Sequence, residues 1–137
     1  MTTVLDAGGL IGVFDRQDAH HQEARVAVRR LVQEGEPLVV SAVTFAESLV
    51  VPARQGRAGL TRASMSIRSL PGLQVYAVGV DVAHQLAAIR AEIPTLKLPD
   101  AAVVATARSL GAQRILTTDR RLARQPEATT PRTFLRS

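Results

Sequence analysis

Short apolar runs recur along the chain, each followed by a longer stretch of helical periodicity, and this alternation restricts the fold more than any other feature. Residues 2–5, 38–41, 73–78 and 114–117 are rich in Val, Leu and Ile and are too short to be helices. Runs with no regular polar alternate are strands covered on both faces, which is how parallel sheets are built. The reading is α/β: a central, mostly parallel β-sheet of four to five short strands flanked by helices. Residues 133–135 are expected to add an edge strand.

The intervening segments carry helix signals. Ala24, Val28, Leu31 and Val32 share a face of a helix expected over 19–34, with Asp18 as its cap and Gly35 as its stop. A strongly apolar helix is expected over 43–54, bent or ended by Pro52. A helix over 61–70 follows, then one capped by Asp81 that runs to about residue 92. Another is opened by Pro99 and closed by Gly111. Residues 10–14 read as one helical turn or two, residues 120–123 as a short helical turn, and Asp6-Ala7-Gly8-Gly9 as a small-residue turn.

A chain of 137 residues without repeats or linkers fits one domain over 1–137. Hydrophobic residues at 46% and charged residues at 21% are a globular balance. There is no Cys, which excludes disulfides, thiolate metal sites and Cys nucleophiles. No apolar run approaches the roughly 18 residues of a membrane span. The first residues lack the basic and apolar regions of a signal peptide, so a cytoplasmic location is expected. Net charge is +5, and Lys97 is the only lysine. Arginine pairs in a fork with phosphate, which favours a polyanionic partner. Gene base composition also enriches arginine, so charge alone decides nothing.

Of twelve acidic residues, most lie at caps, turns or polar helix faces. Four interrupt apolar context instead: Asp6 ends a strand, Glu47 sits within Val43-Thr44-Phe45-Ala46-Glu47-Ser48-Leu49, Asp100 precedes Ala101-Ala102-Val103-Val104, and Asp119 follows Ile115-Leu116-Thr117 by one residue. Asp6 and Asp119 fall at carboxyl ends of expected parallel strands, the edge where ligand crevices form. Asp100 is in a first helical turn, where the dipole favours an anion. Each has an ordinary structural explanation, least so Glu47. If they converge, two carboxylates about 4 Å apart repel by roughly 4 kcal/mol at an effective dielectric of 20, so the cluster calls for a cation. Oxygen ligands select Mg²⁺ or Mn²⁺ over Zn²⁺, and such ions typically act on phosphate. His20, His21 and His84 show no metal-binding spacing and read as surface or capping residues. Ser41 and Ser48 lack a nucleophile-elbow context.

Four blocks carry a resemblance. Val4-Leu5-Asp6-Ala7-Gly8-Gly9-Leu10-Ile11, Ser41-Ala42-Val43-Thr44-Phe45-Ala46-Glu47, Leu98-Pro99-Asp100-Ala101-Ala102-Val103-Val104-Ala105-Thr106-Ala107 and Ile115-Leu116-Thr117-Thr118-Asp119-Arg120-Arg121-Leu122 stand in order across nearly the whole chain. Together they resemble PIN-domain nucleases, specifically the VapC-type toxins of bacterial toxin–antitoxin pairs. The resemblance implies that Asp6, Glu47, Asp100 and Asp119 bind Mg²⁺ or Mn²⁺ and cut RNA to leave a 5′-phosphate, with Thr117 in support. It also implies a cognate antitoxin whose C-terminal segment occupies the active-site groove, and a homodimer. Two departures stand out. Gly8 replaces a frequent hydroxyl residue, and Arg120 and Arg121 stand where some relatives place another acid. These arginines are candidates for RNA contact, with a solvated surface as the plainer role. An inhibiting partner is expected to offer an arginine to the acids. Apolar groove walls are expected from Val50, Val51, Met65 and Ile67.

Three other readings remain open on sequence alone. One is a DNA-acting nuclease of the same broad fold, although no insertion is available to grip a junction. Another is a phosphoryl-receiver module, which needs paired acids after the first strand and a nearby lysine; Asp6 stands alone and Lys97 is poorly placed. The third is a catalytically silent PIN-like binding protein.

Overall fold

The computed structural model describes residues 1–137. Five strands, β1 (Thr3–Leu5), β2 (Leu38–Ser41), β3 (Leu73–Tyr76), β4 (Arg114–Leu116) and β5 (Ala128–Thr129), form one sheet in the order β3-β2-β1-β4-β5. Every pairing is parallel. The helices are α1 (Ala7–Phe14), α2 (His21–Gln33), α3 (Ala42–Arg54), α4 (Arg57–Arg68), α5 (Val80–Glu92), α6 (Leu98–Leu110) and α7 (Pro131–Leu135), with a 3-10 turn at Leu122–Arg124.

Strand side chains alternate between two cores, as a doubly covered sheet requires. Val4, Val39 and Ile115 point to one face, where Val82, Leu86 and Ile89 of α5 and Ala101–Ala107 of α6 cover them. Leu5, Leu38, Val40 and Leu116 point to the other, against Leu10, Ala27, Val28, Leu31, Ile67 and Phe134. With so few aromatics, close packing falls to small residues. Ala101, Ala102 and Ala105 are fully buried, which lets α6 lie near the sheet.

Phe134 is an exception to that small-residue core. The guanidinium carbons of Arg30 and Arg114 each lie 4.6 Å from its ring centroid. Arg114 also pairs with the largely buried Glu36 at 3.1 Å. The C-terminal segment is thereby fastened to α2 and β4 by burial and cation–π contact together.

Residues 133–135 are not the expected edge strand. Thr130 accepts a hydrogen bond from the Thr133 amide and Pro131 opens the helix, so cap and proline override the β preference of Thr-Phe-Leu. The fifth strand lies just upstream, at Ala128–Thr129, paired with Ile115 and Leu116. Asp18 does not cap α2 either. It accepts from the His20 amide in a local turn, and α2 begins at His21. His21 is more than a surface residue, since its Nδ1 lies 2.7 Å from the Gly12 carbonyl oxygen and ties α2 to α1. Gly79, rather than Asp81, takes the cap position of α5. Pro52 lies inside α3, which ends two residues later at Arg54. Gly111 closes α6 in the left-handed conformation, as expected. No helix is long and apolar enough to cross a membrane.

Candidate active site

The turn after β1 is the first turn of α1. Asp6 caps it, with Oδ1 accepting from the Gly9 amide at 2.6 Å. The turn can be this tight because a Cβ on Gly9 would stand 2.9 Å from the Leu116 carbonyl oxygen. Asp6 is only 3% exposed. Its Oδ2 accepts from the hydroxyl of Thr117, which is itself buried. Thr117 Oγ1 in turn accepts from the Asp119 amide at 2.9 Å. Asp119 Oδ1 accepts from the amides of Arg121 and Leu122 at 2.7 and 3.1 Å, which fixes the loop after β4. One threonine thus links two of the four acids.

All four acids line one pocket of about 390 Å³, together with Ala7, Gly8, Lys97, Pro99, Val103 and Thr118. It opens at the carboxyl edge of the sheet, where β1 and β4 end and α3 and α6 begin. Asp100 is half-buried in the first turn of α6. Glu47 is exposed on α3, not embedded as its apolar context predicts. The helix buries Thr44 and half-buries Phe45, while Ala46, Val50 and Val51 remain open to solvent.

Burial pushes the Asp6 carboxyl up to about 6 against the lowering effect of its bonds to Thr117 and Gly9, and the charges of Asp100 and Asp119 add to the rise. Asp100 is raised by burial and then by Asp119, with Lys97 and Arg121 pulling it back. Glu47 is raised by partial burial and then by Asp100. The acids therefore sense one another, and each additional negative charge costs more than the last.

A family model described as PIN domain matches residues 3–128. The chain belongs to the PIN-domain family. A search of curated protein sequences finds no match. Among solved structures, it is similar to the toxin–antitoxin complex from Klebsiella pneumoniae, with 26% identity, 94% of this chain and 97% of that chain covered, and a TM-score of 0.70. VapC20 of Mycobacterium tuberculosis, a sarcin-ricin loop cleaving toxin, gives 21% identity, 88% and 92% coverage and a TM-score of 0.70. VapBC2 from Rickettsia felis, bound to a DNA fragment from the promoter, gives 13% identity, 95% and 97% coverage and a TM-score of 0.72.

Sequence reasoning missed two members of the PIN-domain pocket. Lys97 lines it beside Asp100; the signal was its place as the only lysine just ahead of the Pro99 helix start. Thr118 lines it too, adjacent to Thr117. Arg120 and Arg121 are exposed and do not line the acid pocket, although the charge of Arg121 reaches Asp100. Glu47 also borders a second, more apolar groove of about 650 Å³ between α1, α3 and α4. Val51 and Ile67 line this groove as expected, while Val50 and Met65 are exposed outside its lining. Leu10, Ile11 and Phe14 of α1 complete it.

The donors of the PIN-domain pocket are oxygens only, which suits a hard divalent cation. No three of the chain's His, Asp and Glu side chains approach closely enough to hold a bare ion between them. Mg²⁺ dehydrates reluctantly and commonly keeps several waters while one or two carboxylates hold it. A pocket of this size with spaced acids fits an ion held partly through its hydration shell.

Proposed function

We propose that this PIN-domain protein is a Mg²⁺- or Mn²⁺-dependent endoribonuclease acting as the toxin of a type II toxin–antitoxin pair in the cytoplasm. A single nuclease domain over 1–137 carries the activity, as a homodimer. The observation that carries the reading is that Asp6, Glu47, Asp100 and Asp119 line one pocket, where burial and neighbouring charge raise the carboxyl pKa of Asp6, Glu47 and Asp100 in a way a cation would relieve.

Asp6, Asp100, Asp119 and Glu47 would hold the ion, directly or through water. When bound, it supplies charge neutralisation at phosphate and acidifies a water molecule. Thr117 keeps the Asp6 carboxylate and the Asp119 loop in register. Lys97, at the pocket wall, attracts the phosphate backbone that four carboxylates alone would repel. Arg120 and Arg121, exposed just after Asp119, would extend that attraction along the RNA backbone. The sarcin-ricin loop cleaved by the Mycobacterium tuberculosis toxin favours RNA over DNA as substrate.

The second groove supports an antitoxin partner. It joins the acid pocket at Glu47 and exposes Phe14 and Val51. A partner segment with aliphatic anchors would fill it and bring an arginine to the acids, where a planar guanidinium can pair with carboxylates.

The decisive experiment is RNA cleavage by purified protein with Mg²⁺ or Mn²⁺, abolished by EDTA and restored by excess ion. Equal cleavage in EDTA refutes the metal mechanism, and cleavage of DNA but not RNA refutes the substrate. For the partner, binding should weaken when an arginine in its C-terminal half becomes Ala. Unchanged binding after every such replacement leaves steric occlusion as the better account.

A further inference from the structure

We infer that Thr118 is a positioning residue of the acid pocket, whose hydroxyl occupies the space left by the missing side chain of Gly8 and hydrogen-bonds a water of the ion's hydration shell. This rests on the metal-dependent reading above.

The two successive threonines have different duties. The hydroxyl of Thr117 is committed on both sides, donating to Asp6 and accepting from the Asp119 amide. Thr118 is half-buried, and its hydroxyl takes no partner from the protein's own groups. It lies in the pocket wall with Asp6, Gly8 and Asp119. A hydroxyl carries one donor and two acceptor positions, and in a wet carboxylate pocket water satisfies them.

Gly8 explains why that hydroxyl can be there. The residue lies within α1 and does not adopt the positive φ that favours glycine, so backbone conformation does not demand it. In a helix interior, glycine is less favourable than Ala. A Cβ built on Gly8 collides with Thr118 Oγ1 before any other atom. The same point lies 3.6 Å from Asp6 Oδ1 and 3.6 Å from Thr118 Cβ. The hydroxyl and a Gly8 side chain therefore compete for one position beside Asp6. Only the hydroxyl is in conflict, because the contact with Thr118 Cβ is an ordinary one. An Ala at position 118 would leave room for a side chain at position 8.

The test compares wild type, Thr118→Val, Thr118→Ser, Gly8→Ser and the double variant Gly8→Ser/Thr118→Ala. Mn²⁺ affinity is read by titration calorimetry, RNA cleavage by kcat and KM, and folding by melting temperature. A hydrogen bond to ion-bound water sets the scale, so Thr118→Val should weaken Mn²⁺ binding and lower kcat by about ten-fold each, with KM and the metal-free melting temperature little changed. Thr118→Ser should retain both properties. Gly8→Ser alone should impair them by displacing Thr118, and the double variant should restore them by presenting a hydroxyl from the opposite wall. If wild type binds Mn²⁺ and cleaves RNA but Thr118→Val does so equally well, this inference is overturned and the nuclease reading stands. A double variant no better than Gly8→Ser overturns the shared-position argument. A wild type that neither binds Mn²⁺ nor cleaves overturns both readings.

Discussion

In metal-free protein, Asp6→Asn should raise thermal stability at pH 7.5 and lose most of that advantage by pH 4. Burial carries the Asp6 carboxyl from 3.8 to about 6. Between those values the folded chain holds a proton that the unfolded chain releases. The group's contribution to stability is therefore greatest at low pH, falls as pH rises from about 4 to 6, and stays low above that. A shift of roughly two units, at 1.36 kcal/mol each, makes the charged form cost about 3 kcal/mol near neutrality. Asn carries no charge, and its oxygen can still accept from the Gly9 amide. Its NH₂ can donate to the second lone pair of Thr117 Oγ1, which already accepts from the Asp119 amide, while the Thr117 hydroxyl gives up its bond to Oδ2. Exchanging charge-assisted bonds for neutral ones returns about 1 kcal/mol. The net gain of about 2 kcal/mol corresponds to roughly 6 °C in melting temperature for a chain of this size. Melting curves in EDTA at both pH values measure it. With saturating Mn²⁺ the order should reverse, because only the wild type is strongly stabilised by the ion. A lower melting temperature for the variant at pH 7.5, or a gain independent of pH, refutes the argument and means that Thr117 and Gly9 outweigh burial.

Asp100→Asn and Glu47→Gln should each lower metal-dependent RNA cleavage by about a hundred-fold or more without lowering the metal-free melting temperature; retained activity removes that residue from the site. Phe134→Ala should cost about 3–4 kcal/mol in urea unfolding, because the ring is buried and two guanidinium groups pack against it; a loss under about 1 kcal/mol would show that the C-terminal helix is not fastened there. Gly9→Ala should cost about 1–3 kcal/mol and impair cleavage, since its Cβ would press on the Leu116 carbonyl; wild-type stability and activity would refute the close approach of α1 to β4.

Much of this architecture was legible in the sequence for a physical reason. Strands covered on both faces must be continuously apolar, and Val4-Leu5, Leu38-Val39-Val40 and Ile115-Leu116 are. The acids were legible because a carboxylate ending such a run has to meet water, a donor or a cation. Glu47 lines the pocket, but the premise that singled it out, burial among apolar neighbours, does not hold. Apolar neighbours along a helix do not imply burial when part of the helix surface lines an open groove, and Val51 is 61% exposed. Ile11 and Phe14 escaped notice for the same reason, since an apolar turn reads as core until its neighbours are known. Lys97 and Thr118 were missed because their positions depend on how α6 and the β4 loop dock against α1. That relation is carried by no local pattern.

Strand order explains why such distant acids meet. The chain lays β2 and β3 on one side of β1 and then returns to place β4 on the other side. Parallel strands put every carboxyl terminus on one edge, and a reversal of direction in the order opens a crevice there. Asp6 leaves β1 at that edge, and Asp119 follows β4. The helix after β2 brings Glu47, while α6, whose carboxyl end feeds into β4, begins there with Asp100. Register completes the placement. Leu5 pairs with Leu116, so the residues that follow, Asp6 and Thr117, emerge side by side and their side chains can bond. A slip of one residue would turn the Thr117 hydroxyl to the opposite face of the sheet and leave the Asp6 carboxylate without its donor. The apolar alternation of Ile115 and Leu116 between the two cores prevents that slip. The hydrophobic pattern that folds the sheet therefore also aligns its two central acids.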